Sequence, residues 1–316
     1  MVNIILAQPR GFCAGVTRAI EVVNKALEKY GAPIYVKHEI VHNKYVVEDL
    51  RKKGVIFVEE ISEIPNKAIA IFSAHGVSQK VEDEAGLKNL DTIDATCPLV
   101  SKVHRQAQKY EDQGFEIILI GHKGHPEVEG TSGRIKGDMI LVCDINDAQK
   151  IEPKNPDKLA YVSQTTLSVD DTSKIVEILQ RRFPNIEKSV ATKDICYATQ
   201  NRQDAVKELA KQVDLLLVIG AKNSSNSNRL RDLGEKNKVK SYLINDENDL
   251  DLKWLRKARN IGITAGASAP EILVIRVIEK LRSILDKKIK IRTMEGKIEN
   301  VKFALPRKIR KDVSAK

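Results

Sequence analysis

Only 4% of the 316 residues are aromatic and only four are cysteine. So few aromatics leave little to stack on bases, and no RNA-binding signature is present, so nucleic acid is not an expected partner. Four cysteines in a chain this long are too few for a disulfide scaffold, and reduced thiols are expected. Apolar runs are short, Leu215–Ile219 being typical, and none approaches the roughly 18–20 residues a membrane span needs. The chain opens on a strand-like apolar stretch, residues 2–7, without the basic n-region or the length of a signal peptide. These absences predict a soluble, cytoplasmic protein with neither membrane nor nucleic acid as a partner.

What is present is a composition that builds a core, with 42% hydrophobic residues and length for two or three domains. The formal net charge is +10, from 53 Lys and Arg against 43 Asp and Glu. A basic balance attracts anions, including phosphorylated metabolites and acidic proteins.

Self-similarity settles the expected architecture. Strand-like residues 4–7, 92–95 and 190–195 lead to Cys13, Cys97 and Cys196, and each cysteine is followed by a helical apolar pattern. Downstream of each lie a second strand and a polar loop, placing His42, His125 and Asn226 at 29, 28 and 30 residues beyond the respective cysteine. Further strand ends place His75, Thr165 and Ser268 at 62, 68 and 72 residues beyond. Alternating strands and helices predict α/β units with mainly parallel sheets, whose ligands bind beyond the carboxyl ends of the strands. Three such units are expected, residues 1–96, 97–193 and 194–284, related by a pseudo-threefold axis, with a basic tail at 285–316.

Cysteine recurring at one place in three repeats predicts shared metal ligation, whereas Cys143, without a counterpart, reads as a small core residue. Three thiolates suit either a zinc ion or an iron–sulfur cluster. A four-iron cluster with three cysteines keeps one iron open, which implies catalysis. The strand-end loops supply anion donors: His42, His75 and His125, the run Ser224, Ser225 and Asn226 before a helix, and Ser268. Glu127, two residues beyond His125, is the candidate proton donor. A zinc-dependent hydrolase of a phosphorylated metabolite and a nucleic-acid-binding iron–sulfur sensor are the competing readings.

The segments "GFCAGVTRAI", "VHN", "SAHGVS", "DATCPLV", "GHKGHPEVEGT", "SQTTLS", "DICYATQNRQ", "NSSNSNRL" and "AGASAPE" together resemble the 4-hydroxy-3-methylbut-2-enyl diphosphate reductase family, over residues 4–272. The resemblance implies a trefoil of three α/β domains around a 4Fe-4S cluster. It also implies the last step of the methylerythritol phosphate pathway, yielding isopentenyl and dimethylallyl diphosphate. By the same resemblance Cys13, Cys97 and Cys196 hold the cluster. His42, His75, His125, Ser224, Ser225, Asn226 and Ser268 hold the diphosphate, and Thr165 and Glu127 relay protons to the substrate hydroxyl. Reduced flavodoxin or ferredoxin is the implied electron donor.

Overall fold

The computed structural model describes residues 2–187, 194–285 and 289–310. Twelve strands lie among them: β1 (Val2–Leu6), β2 (Ile34–Lys37), β3 (Val55–Val58), β4 (Ile69–Phe72), β5 (Asp91–Asp94), β6 (Glu116–Ile120), β7 (Met139–Val142), β8 (Leu159–Ser163), β9 (Leu215–Ile219), β10 (Lys240–Ile244), β11 (Asn260–Ala265) and β12 (Ile289–Thr293). The helices are α1 (Ala14–Tyr30), α2 (Lys44–Lys52), α3 (Gln79–Leu87), α4 (Pro98–Asp112), α5 (Pro126–Ser132), α6 (Ile145–Lys150), α7 (Val169–Arg182), α8 (Tyr197–Ala210), α9 (Ser225–Lys236), α10 (Leu252–Leu255) and α11 (Glu271–Leu285). No helix among the described residues is long and apolar enough to cross a membrane.

The strands form three small parallel sheets, in the orders β10-β9-β11-β1-β12, β3-β2-β4-β5 and β7-β6-β8. Two compact units contain them. The first, Met1–Cys13, His42–Val46 and Tyr197–Val301, holds the five-stranded sheet. The second, Ala14–Val41, Val47–Cys196 and Lys302–Lys316, holds the other two.

Sheets covered on both faces need strands that are apolar throughout, and β9, "LLLVI", is such a strand. Because side chains alternate, Leu215, Leu217 and Ile219 join one core with Leu273, Val274 and Val277 of α11. Leu216 and Val218 join the opposite core with Val206 and Leu209 of α8 and Leu230 of α9. In the second unit β6 divides the same way. Ile118 and Ile120 pack with α7 through Ile175 and Leu179, while Ile117 and Leu119 pack with α4 through Val103 and Ala107.

Two expectations are corrected. β1 was expected to open the first repeat, but it pairs with β11 and β12, Ile4 lying beside Ile261 and Ile291. Its strand neighbours come from the far end of the chain because parallel pairing is fixed by tertiary packing, not by proximity in sequence. The stretch read as an extended tail supplies β12, an edge strand of the same sheet. The strand expected over residues 190–195 falls at 190–193 outside the described residues, as does the basic end 311–316.

Candidate functional site

All four cysteines are half-buried thiols. Cys13, Cys97 and Cys196 share a backbone setting. Each stands immediately before a helix: α1, α4 and α8. Each donates its N–H to a carbonyl two residues past the end of a strand: Cys13 to Ala267 beyond β11 (3.2 Å), Cys97 to Ala74 beyond β4 (3.0 Å) and Cys196 to Thr165 beyond β8 (3.0 Å). This alignment corrects one sequence equivalence: Thr165 matches Ala74 and Ala267, so His75 and Ser268 are matched by Thr166. Soft sulfur ligands at the start of three helices suit a metal cluster. Cys143 differs, because its N–H is taken by the Asp147 side chain (2.8 Å).

In the first unit, His42, Ser268 and the start of α9 form one group. The Ser268 hydroxyl donates to the His42 carbonyl (2.9 Å), and Asn223 Nδ2 lies 3.3 Å from His42 Nδ1. Ser224 caps α9, accepting from the N–H and hydroxyl of Ser227 (3.3 and 3.0 Å). Gly266, just past β11, leaves room for Ser227 and Asn226, since a Cβ there would collide with the Ser227 hydroxyl. Asn226 is 4% exposed, yet neither amide atom has a hydrogen-bond partner among the described residues. An unmet buried amide is costly, and at a helix N-terminus it suits an anion that it satisfies on binding. Ser225, first in α9, is buried beside it.

In the second unit, one run of contacts joins the remaining candidates. Ser73 Oγ lies 3.2 Å from His75 Nδ1, and the rings of His75 and His125 meet edge to face at 6.1 Å. His125 caps α5: its Nδ1 accepts from the N–H of Glu127 (3.1 Å), which fixes the neutral tautomer with the proton on Nε2, a donor. Glu127 is 5% exposed, and its Oε2 accepts from both the N–H and the hydroxyl of Thr165, each at 2.9 Å. Thr165 in turn receives the N–H of Cys196. Burial raises the Glu127 pKa above the usual carboxylate range, opposed by the two Thr165 hydrogen bonds. Since Oε2 already accepts twice, a proton held by this group resides on Oε1. A carboxyl whose pKa is raised holds its proton more tightly and can serve as a general acid. Glu129, by contrast, is exposed.

Sequence reading missed Asn223 and His104. His104 lies seven residues after Cys97 on the same face of α4, a spacing that offered a signal. It packs on the loop of His75: Gly76 has φ +80°, and a Cβ there would lie 2.6 Å from His104 Cε1. Burial, with the nearby Arg134 charge adding to it, lowers its pKa to about 4, so the folded imidazole is neutral. The unfolded chain takes up this proton near pH 6.5 and the folded one only near 4, so stability falls as pH drops through that window. His104→Gln should therefore lose about 2 kcal/mol less than the unaltered chain between pH 7 and pH 5, measured by urea unfolding at both.

Residues 4–282 match the family described as LytB protein. The chain is 57% identical over 303 residues to 4-hydroxy-3-methylbut-2-enyl diphosphate reductase 1 of Rhodopseudomonas palustris, covering 95% of this chain and 97% of the relative. It is 56% identical to 4-hydroxy-3-methylbut-2-enyl diphosphate reductase of Burkholderia pseudomallei, with 99% of each covered. Among solved structures, the E-1-hydroxy-2-methyl-but-2-enyl-4-diphosphate reductase from Plasmodium falciparum matches with a TM-score of 0.93 at 40% identity, over 98% of this chain and 96% of that one. With matches of this extent, the three cysteines in one shared backbone setting belong to a member of the LytB protein family.

Proposed function

We propose that the chain reduces (E)-4-hydroxy-3-methylbut-2-enyl diphosphate, consuming two electrons and two protons and releasing water, to give isopentenyl or dimethylallyl diphosphate. The observation that carries this reading is the buried Glu127–Thr165 pair, an acid and a hydroxyl tied through the Thr165 carbonyl to the backbone of Cys196. The names of the relatives point the same way.

Cys13, Cys97 and Cys196 hold a 4Fe-4S cluster, one from each of three repeats bounded near residues 96 and 193. When bound, the cluster supplies the two electrons and a Lewis-acid iron for the substrate oxygen. The protein's own residues do the rest. The N-terminus of α9, the hydroxyls of Ser224, Ser225 and Ser268, and the Asn226 amide take the diphosphate, with His42, His75 and His125 as further donors. The Asn226 desolvation cost is recovered when phosphate oxygen satisfies it. Glu127 holds the proton for the departing hydroxyl; Thr165, whose Oγ–H donates to Oε2 and keeps the carboxyl oriented, relays a proton by giving its own to the substrate hydroxyl as it takes one from Glu127. Reduced flavodoxin or ferredoxin, both acidic proteins, supplies electrons, which the +10 charge of the chain favours by steering.

Anaerobically purified protein should contain iron and sulfide and consume this diphosphate with a chemical reductant. Zinc without iron or sulfide would overturn the reading. His42→Phe and His125→Leu should each weaken pyrophosphate inhibition roughly tenfold to a hundredfold, the worth of a lost charge-assisted hydrogen bond. Turnover of the His125 variant should also fall, because α5 and Glu127 lose their cap.

A further inference from the structure

Arg202, the sixth residue of α8 and six residues after Cys196, is a guanidinium at 0% exposure. A buried guanidinium needs every donor answered, and the way these are answered is specific. Nε and Nη2 both donate to the carbonyl of Gly11 (3.1 and 2.7 Å), and Nη2 also reaches that of Phe12 at 3.5 Å. Nη1 donates to the Ala198 carbonyl at 2.8 Å. The outer edge is met by Glu299, whose two oxygens lie 3.1 and 3.2 Å from Nη1, with Oε2 also 3.2 Å from Nη2.

Gly11 and Phe12 are the two residues directly before Cys13. Their loop is pinned from the other side by Gly11 N–H to Ala265 (3.1 Å) and Cys13 N–H to Ala267 (3.2 Å). The guanidinium therefore closes the remaining face of that loop. Glu299 comes from the segment after β12, which lies close on the first strand's exit: a Cβ on Gly296 would strike the Gln8 backbone. Asn201 Nδ2 also donates to Glu299 Oε1 at 2.9 Å, so the carboxylate is held in place by two side chains of α8. At 13% side-chain exposure this pair is shielded, unlike Lys297 of the same segment, which is 62% exposed and pairs with Asp204.

We infer that Arg202 is the positioning residue of Cys13, and that Glu299 of the C-terminal segment is the strap that keeps Arg202 on the Gly11–Phe12 carbonyls. This rests on the proposed reading that Cys13 is a cluster ligand. The clamp confines the thiol's backbone before any cluster arrives, so ligation costs less ordering. Lysine cannot replace arginine here, since one ammonium lacks the planar fork that serves Gly11 and Glu299 at once.

The test uses the full chain and two readouts. In iron-free protein, alkylation of each cysteine is timed by mass spectrometry. Arg202→Lys should speed Cys13 by about tenfold to a hundredfold, the scale of one charged hydrogen bond lost, with Cys97 and Cys143 unchanged. In reconstituted protein, iron release to a chelator should quicken in the same order. Glu299→Gln should act in the same direction with a smaller effect, and Lys211→Ala, which removes an exposed pair with Glu208, should change neither rate. An unchanged Cys13 rate in both Arg202→Lys and Glu299→Gln overturns the clamp, as does an equal acceleration of all the cysteines, which marks general loosening. Failure of the unaltered chain to take up iron at all would instead defeat the cluster reading, and the alkylation pattern would still decide whether Arg202 clamps the loop.

Discussion

Cys13→Ser, Cys97→Ser and Cys196→Ser are each expected to yield a folded chain that has lost most of its iron and its reductase activity, whereas Cys143→Ser should keep both. A serine hydroxyl is a hard, weakly acidic ligand and does not replace thiolate on iron. The folded state should survive because the cores are built elsewhere, from strands such as β6 and β9 and the helices covering them. Cys143 serves as the control. It is equally half-buried, but its N–H is held by Asp147 and not by a carbonyl beyond a strand. Iron and sulfide analysis of the four variants, with circular dichroism for fold, decides the matter. Retention of full iron content by any of the first three removes that residue from the ligand set.

Glu127→Gln should lower turnover at saturating substrate by about 10²–10⁴, roughly 3–5 kcal/mol of barrier, with little change in substrate affinity. The amide oxygen of glutamine can accept the same two hydrogen bonds from Thr165, so the geometry is kept and only the acid is lost. Thr165→Ala should follow more mildly, because the backbone N–H of residue 165 still holds the carboxylate and water partly replaces the hydroxyl. A second readout separates catalysis from folding. Burial raises the Glu127 pKa, so in the folded state this carboxyl resists ionisation, and its contribution to stability is present at low pH and lost as pH rises through the folded value. Neutral glutamine escapes that penalty. The variant should thus unfold no earlier than the unaltered chain at pH 7, despite its lost activity. Normal turnover, or a defect confined to KM, would remove Glu127 from the acid role.

The local part of this fold was legible. Each cysteine at a strand end before a helix is a short-range pattern of apolar alternation followed by helical periodicity, and the structure has it at Cys13 and Cys97. The loop at Ser224–Asn226 was readable for the same reason, because cap residues declare themselves locally. What distant segments decide was not legible. Nothing within residues 2–6 says that they pair with β11 and β12, and counting residues along variable loops set Thr165 one place out of register with His75 and Ser268. Arg202 was visible in "CYATQNRQ" only as one more charged residue, since its burial depends on a carbonyl 191 residues earlier and a carboxylate 97 residues later. His104 looked like an ordinary helix residue until Gly76 was seen against it.

The placement of β1 has a consequence for how the protein is made. Asn3 and Asn260, side by side in the sheet and joined through their side chains at 2.8 Å, are separated by 257 residues of synthesis. β1 must wait for its partners β11 and β12 until those distant segments emerge, while the sheets of the second unit close on segments much nearer in the chain. Ala267, the backbone anchor of Cys13, is translated in the same late stretch. Cys13 therefore acquires its native backbone setting only after Ala267 has been made, and the apolar edge of β1 needs shielding during that wait.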